Sequence, residues 1–293
     1  MFSNSMKPAE TAGDSGIRVV KMKKGPFLNR LQVNPGYNLR VCILASGSKG
    51  NAVFVSSGAA SILIDAGLSG IEIERRLQSR GLDPKDLDGI LVSHEHSDHI
   101  QGVGILSRRY KLPVYISNKT QRAAASQLGR LHDLKTIECG STFAINDLAI
   151  HPFSISHDAA DPCGFTIHQN STKIGIATDL GIATAMVRDH LKECALLILE
   201  ANHDEEMLIN GPYPWPIKQR IKSRTGHLSN AASKILLEEL QHNCLKHVML
   251  AHLSETNNTP QKAAREVGQA LTRCKARLHI ASQNTCGVLL HLK

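Results

Sequence analysis

From residue 39 onward, short and almost wholly apolar runs alternate with segments of helical spacing, and several of the apolar runs end on a His, Asp or Glu. Residues 39–44, 52–56 and 61–65 read as strands, with Ser57-Gly58 as the turn between the last two. Residues 71–82 carry a helical period in which Ile73 and Leu77 share the inward face, while Glu72, Arg75 and Arg76 fall largely outside. The apolar centre of residues 88–93 predicts a buried strand running into a turn. A helix is expected over residues 98–111, a strand at 113–116 and a second helix at 120–131. Residues 135–178 are strand-like, broken at Cys139-Gly140, Asn146-Asp147 and Gln169-Asn170-Ser171. Residues 195–199 form a further buried strand that ends at Glu200. Ser229 caps a helix reaching about Leu240 with Ile235, Leu236 and Leu240 inward. Thr259-Pro260 starts another, whose Ala263, Ala264, Val267 and Leu271 share a face. Residues 277–281 and 287–292 close the chain as strands. This order suits two β-rich halves, each covered by helices on its outer face. No linker divides residues 39–293, which read as one domain.

Composition narrows the setting. With 293 residues and 42% hydrophobic content the chain supports a substantial core, and with 4% aromatics that core must be mainly aliphatic. Seven cysteines include no Cys-x-x-Cys pair, and their odd number excludes a complete disulfide set. Cys42, Cys194 and Cys244 lie in or beside apolar runs and read as reduced, buried thiols. No stretch has the length of a membrane span and the N-terminus lacks the apolar run of a signal peptide, so a cytoplasmic protein is expected. Residues 1–38 read as a mobile basic extension. Six of their residues are Lys or Arg and two are acidic, so they carry half of the net charge of +8. That balance suits a polyanionic partner, and it equally suits a solubilising tail.

The strongest chemical signal is His94-Glu95-His96-Ser97-Asp98-His99, directly after the strand at 88–93. On extended backbone His94 and His96 point the same way, and Asp98 and His99 approach from another side once the chain turns. An imidazole pair beside a carboxylate–imidazole pair is what a two-metal site needs. The hexad resembles the His-x-His-x-Asp-His signature of the metallo-β-lactamase superfamily. Four other positions fit that resemblance in order: Asp65 after residues 62–64, His157, Asp179 after 174–178, and His252 after 248–251. The resemblance implies an α/β fold, an αββα sandwich of two mixed sheets flanked by helices. It also implies two divalent metal ions, manganese or zinc, one held by His94, His96 and His157 and the other by Asp98, His99 and His252. Asp179 would bridge them, and Asp65 would orient a ligand from behind. The ordinary alternatives are a loop His at 157, a turn Asp before Gly181 and a strand-end His at 252. A water between two such metals loses a proton easily, and the hydroxide attacks phosphorus or a carbonyl carbon.

Glu200 and His227 resemble the pair of tRNA-processing RNase Z enzymes, in which a Glu orients a His that protonates the departing oxygen. Longer stretches, among them residues 45–51, 156–165, 200–204, 211–216, 226–230 and 251–258, resemble the YycJ/WalJ branch of the superfamily. That branch implies a 5′-to-3′ DNA exonuclease acting on single- and double-stranded DNA ends, with no membrane and no obligate protein partner. Ser46, Ser48 and Asn51 can offer groups to a phosphate, or simply shape a tight loop. Tyr213, Trp215, Lys218, Arg220, Lys222 and Arg224 suit stacking and backbone contacts, or a Pro-rich corner and a solvated helix. His203 belongs to the same pattern, as a metal neighbour or substrate contact. Competing readings are an RNA-processing phosphodiesterase, a thioester hydrolase resembling glyoxalase II, and a catalytically silent metal-bound DNA-binding module.

Overall fold

Most of the apolar runs are buried along their whole length, as strands covered on both faces must be. The computed structural model describes residues 39–292, so the basic extension expected at 1–38 lies outside the described residues. In the first sheet, β1 (Leu39–Ala45), β2 (Ala52–Ser56) and β3 (Ser61–Ile64) form an antiparallel meander. Parallel β4 (Gly89–Leu91), β5 (Pro113–Ser117) and β6 (Asp133–Ile137) follow on one side. In the second, β7 (Phe143–Ile145), β8 (Leu148–Ser154), β9 (Cys163–Gln169) and β10 (Thr172–Ala177) are antiparallel. Beyond β10, the strands β11 (Leu196–Glu200), β12 (His247–Ala251) and β13 (Arg277–Ile280) run parallel. Last, β14 (Leu290–Leu292) returns to the first sheet and pairs with β1, giving the orders β14-β1-β2-β3-β4-β5-β6 and β13-β12-β11-β10-β9-β8-β7.

Alternation along the strands sorts the core into three layers. Val41, Ile43, Val55 and Ile62 of the first sheet meet Phe165, Ile167, Ile174 and Ile198 of the second. Their neighbours Cys42, Leu44, Phe54 and Leu63 point outward, under α1 (Gly70–Gln78), α3 (Val103–Tyr110) and α4 (Asn118–Leu128). On the opposite side Leu197, Leu199, Val248 and Leu250 lie under α5 (Ala185–Leu191), α8 (Asn230–Leu240) and α9 (Pro260–Gly268). The result is the expected αββα sandwich.

Several local expectations differ. The helix expected over 98–111 is two, α2 (Ser97–Ile100) and α3, interrupted at Gly102. There the backbone passes so close to its neighbour that an added Cβ would sit 2.5 Å from Leu68 O, while Gly102 N donates to Ala66 O at 2.7 Å. On α8 the inward face carries Leu236, Leu237 and Leu240, and Ile235 is 55% exposed, because a run of consecutive apolar residues leaves the helical phase undetermined. Cys244 is exposed rather than buried. The N-caps hold: Ser229 Oγ accepts from Ala232 N and Thr259 Oγ1 from Lys262 N, both at 3.1 Å.

Arg76 is also corrected, from outside to buried. Its Nη1 donates to Leu44 O at 2.8 Å and Gln283 O at 3.0 Å, and its Nε to Glu72 at 2.6 Å. Those contacts tie α1 to β1 and to the loop after β13. Arg76→Ala is therefore expected to destabilise the fold by about 2–4 kcal/mol, since two buried carbonyls lose their donor. Urea unfolding reads this as a lower midpoint at unchanged slope, and Arg75→Ala, on the exposed side of the same helix, should leave the midpoint in place.

Candidate metal centre and active site

The site is assembled where strands of both sheets end. Asp65 follows β3, the hexad follows β4, Asp179 lies just beyond β10, Glu200 closes β11 and His252 follows β12. Carboxyl ends of parallel strands in α/β sheets are where loops diverge and leave a crevice. Asp65, Asp179 and His252 take left-handed backbone, with φ of 59°, 56° and 56°. Non-glycine residues adopt it at a cost of about 1–3 kcal/mol each, and such strain concentrates at functional sites. It turns each side chain sharply inward at its strand end. Asp65 N is held by Leu91 O at 2.8 Å and His252 N by Ser46 Oγ at 2.7 Å.

Two triads of candidate ligand atoms result. Those of His94, His96 and His157 lie within 4.8 Å of one another, and so do those of Asp98, His99 and His252. Asp179 stands between them: its Oδ2 is 3.2 Å from His99 Nε2, and its Oδ1 is 3.8 Å from His157 Nε2 and 3.4 Å from His252 Nδ1. All seven residues are thus brought together.

The outer hydrogen bonds decide which ring nitrogens face inward. His99 Nδ1 meets Asp65 Oδ2 at 2.8 Å, His252 Nδ1 meets Glu200 Oε1 at 2.8 Å, and His157 Nδ1 meets Gly226 O at 3.3 Å. A carbonyl or carboxylate only accepts, so each Nδ1 carries a proton and each Nε2 turns to the centre. For His94, Nδ1 lies 2.9 Å from Ser93 Oγ, whose hydroxyl donates to Asp65 Oδ2 at 2.8 Å. His94 Nε2 and His157 Nε2 then both approach His96 Nδ1, at 3.1 and 3.3 Å.

Within the centre His252 Nε2 is buried without a hydrogen-bond partner, and buried Asp179 Oδ2 has none while the His99 Nε2 that faces it at 3.2 Å carries no proton. Converging imidazole lone pairs and an orphaned carboxylate oxygen fit divalent cations. The electrostatics of the centre agree. Burial pushes His252 down, but Asp179, Asp98 and Glu200 outweigh it and raise its pKa to about 10. Burial likewise opposes, and His252 and His99 overcome, a shift that holds Asp179 well below the usual carboxylate range. Carboxylates that favour positive charge on these imidazoles would equally favour a cation among them.

Beside the centre, Glu200 is fully buried and accepts from His227 Nδ1 at 2.8 Å. Its other oxygen accepts from Leu180 N and Leu228 N at 2.8 and 3.1 Å. Burial would raise the Glu200 pKa, yet His227 and His252 bring it down to about 2, so it stays ionised. His227 is raised, its burial outweighed by Glu200. The sequence-expected pair is in contact.

The residues expected to touch substrate divide. Ser46 and Asn51 are engaged within the protein: Ser46 Oγ holds His252 N, and Asn51 Nδ2 lies 3.2 Å from Asp98 Oδ2 and 3.1 Å from His99 Nε2. Their loop braces ligands, and it needs Gly67 opposite, where a Cβ would fall 1.6 Å from Asp98 O. Ser48, by contrast, is exposed. His203 is buried with Nδ1 unpartnered; burial lowers its pKa to about 4, and among the described residues it joins none of the ligand clusters. Lys218 Nζ donates to Ile209 O at 2.7 Å, and Arg220 pairs with Asp158 at 2.6 Å, whose other oxygen is 3.5 Å from His157 Nε2. Two residues escaped the sequence reading. Ser93 joins Asp65 to His94, and Glu95 Oε1 accepts Ala160 N at 2.7 Å, fastening the hexad to the His157 loop. Their only signal was position, directly before and inside the hexad.

Comparison with known proteins places this geometry. A family model described as a beta-lactamase superfamily domain matches residues 60–253, the span from before Asp65 to just past His252. The exodeoxyribonuclease YycJ of Bacillus anthracis is 40% identical over 80% of this chain and 89% of its own length. The exodeoxyribonuclease WalJ of Streptococcus pneumoniae is 38% identical over 75% of this chain and 84% of its own. Among solved structures, the metallo-beta-lactamase fold protein YhfI of Bacillus subtilis superposes with a TM-score of 0.66 at 17% identity, over 87% of this chain and 99% of that one. It shares the fold. Sequence identity over most of its length, on a sandwich whose strand ends converge as they do here, places the chain in the metallo-β-lactamase superfamily of metal-dependent hydrolases, within its YycJ/WalJ-like branch.

Proposed function

We propose that this chain is a two-metal phosphodiesterase that degrades DNA from 5′ to 3′, on single- and double-stranded ends. The observation that carries the reading is the pair of ligand triads with Asp179 within reach of a histidine of each, at 3.2 and 3.8 Å, and the Glu200–His227 contact of 2.8 Å alongside. Relatives of 40% and 38% identity, both named exodeoxyribonucleases, support DNA as the substrate. His94, His96 and His157 would hold one cation and Asp98, His99 and His252 the other, with Asp179 shared. Five imidazoles and two carboxylates suit zinc or manganese. When bound, such cations polarise a phosphodiester and acidify water.

The protein's own residues do the rest. Asp65 and Ser93 fix His94 and His99 from behind. Glu200, anchored by two backbone amides, holds the Nδ1 protons of both His227 and His252. That leaves His227 Nε2 to carry a proton to the departing oxygen. Ser48 and Arg220 would contact the sugar–phosphate chain of the strand to be cut, Lys218 that of the strand paired with it in a duplex, and the buried His203 would face the end of the cleaved strand. Residues 39–293 act as one catalytic domain. No described helix is long and apolar enough to cross a membrane, and we place the enzyme in the cytoplasm.

The test is hydrolysis by metal-stripped protein refilled with Mn²⁺ or Zn²⁺, using DNA and RNA oligonucleotides labelled at either end. Stepwise release of mononucleotides from the 5′ end of DNA is expected. Equal turnover of RNA would redirect the reading to an RNA-processing phosphodiesterase. Inert nucleic acids with turnover of a thioester would overturn it.

A further inference from the structure

Between α6 (Glu205–Asn210) and His227 the chain carries α7 (Trp215–Lys222), a helix with no buried residue. It holds the chain's one Trp, 63% exposed, and Ile217, 41% exposed. Apolar side chains left in water on a helix that no core retains call for a partner. Residues 212–224 contain Lys218, Arg220, Lys222 and Arg224 and no acid, so that partner is an anion.

The cations are not on one face. At about 100° per residue, Trp215, Lys218 and Lys222 fall on one stripe of α7, and Ile217 and Arg220 on roughly the opposite one, with Arg224 beyond the helix after the extended cap at Ser223. Each stripe is an apolar residue followed by cations, two on the first and one on the second. The second faces the active site, for Arg220 pairs with Asp158, which touches His157; past the helix, the main chain stays at that side, where Arg224 O accepts from Ser156 Oγ at 2.7 Å. The end of α7 is bonded to the proposed proton donor itself, through His227 N and Ile221 O at 2.9 Å. The first stripe is turned the other way. One strand would need only the side that leads to the metals, and two anionic strands occupy both.

Resting on the nuclease reading above, we propose that α7 divides the end of a DNA duplex. The strand to be cut follows Ile217 and Arg220 towards the metal centre. Its complement is deflected along Lys218 and Lys222, and Trp215 stacks on the last base pair or the first unpaired base. The helix, about 12 Å long, is wide enough to keep the two backbones apart.

The test compares kcat/KM of Mn²⁺-loaded enzyme on a single-stranded oligonucleotide, a blunt duplex with the same cleaved strand, and that duplex with its terminal pairs mismatched into a fork. Trp215→Ala, and separately Lys218→Ala with Lys222→Ala, should lower the ratio of blunt-duplex to single-strand kcat/KM by about tenfold, one good stacking contact's worth. The fork should recover most of that loss. Equal losses on single strand and duplex would make α7 a plain binding arm and overturn the proposal, as would an unchanged ratio. A wild-type dimer that Trp215→Ala converts to monomer, at unchanged ratio, would assign the stripe to self-association. Wild-type enzyme inert on every DNA yet active on bis(p-nitrophenyl) phosphate would instead overturn the nuclease reading beneath it.

Discussion

Asp179→Asn protein is expected to fold normally, to lose most of its bound metal and to hydrolyse DNA at least ~10³-fold more slowly than wild type. A partner that merely orients a ligand is worth about 10–100-fold in metal affinity or activity. Asp179 is more than that, for among the described residues it is the one carboxylate within reach of His99, His157 and His252 together. Asparagine keeps its shape and tolerates the left-handed backbone at φ 56°, so only the charge and one of the two ligand oxygens are removed. Asp179→Ala should match its catalytic loss while adding about 1–2 kcal/mol of backbone strain, because alanine disfavours that conformation. Metal content by elemental analysis, circular dichroism and urea midpoints separate these effects. Retention of activity within tenfold in the asparagine variant would show that the two triads do not depend on a shared carboxylate.

The contrast between those two variants also marks what the sequence could and could not disclose. Strand ends were legible because apolar runs stop at Asp65, His94, Glu200 and His252, so ligands and topology followed from the same pattern. The left-handed turns at Asp65, Asp179 and His252 were not, since none is a glycine and nothing local predicts φ above zero there. Gly102 broke a helix whose periodicity continues past it, for a reason that lies in the backbone of residue 68. Arg76 looked solvated because its acceptors, Leu44 O and Gln283 O, are main-chain atoms 32 and 207 positions away. Ser46 and Asn51 had the composition of a phosphate loop. Their real partners, His252 N and the hexad, adjoin only once both sheets are assembled.

His227→Ala is expected to lower kcat on DNA by about 10²–10⁴-fold, the usual contribution of a positioned general acid, with metal content unchanged. Its side chain reaches the centre from beside it, with Nδ1 on Glu200 at 2.8 Å and only 3.8 Å from Asp179, so removing it leaves both triads intact. The decisive comparison is the leaving group. A deoxyribose alkoxide is a poor one and needs its proton, whereas p-nitrophenolate departs without help. On bis(p-nitrophenyl) phosphate the same variant should therefore lose no more than a few-fold. Glu200→Gln is expected to behave differently. Glu200 also fixes His252 Nδ1 and the amides of Leu180 and Leu228, so the amide should weaken metal binding and slow both substrates. A protein in which His227→Ala slows both substrates equally would place His227 with the metals or the attacking water, and the departing oxygen would need another donor. Loss confined to DNA separates the two functions of Glu200: through His252 it shapes the metal centre, and through His227 it governs the exit of the product.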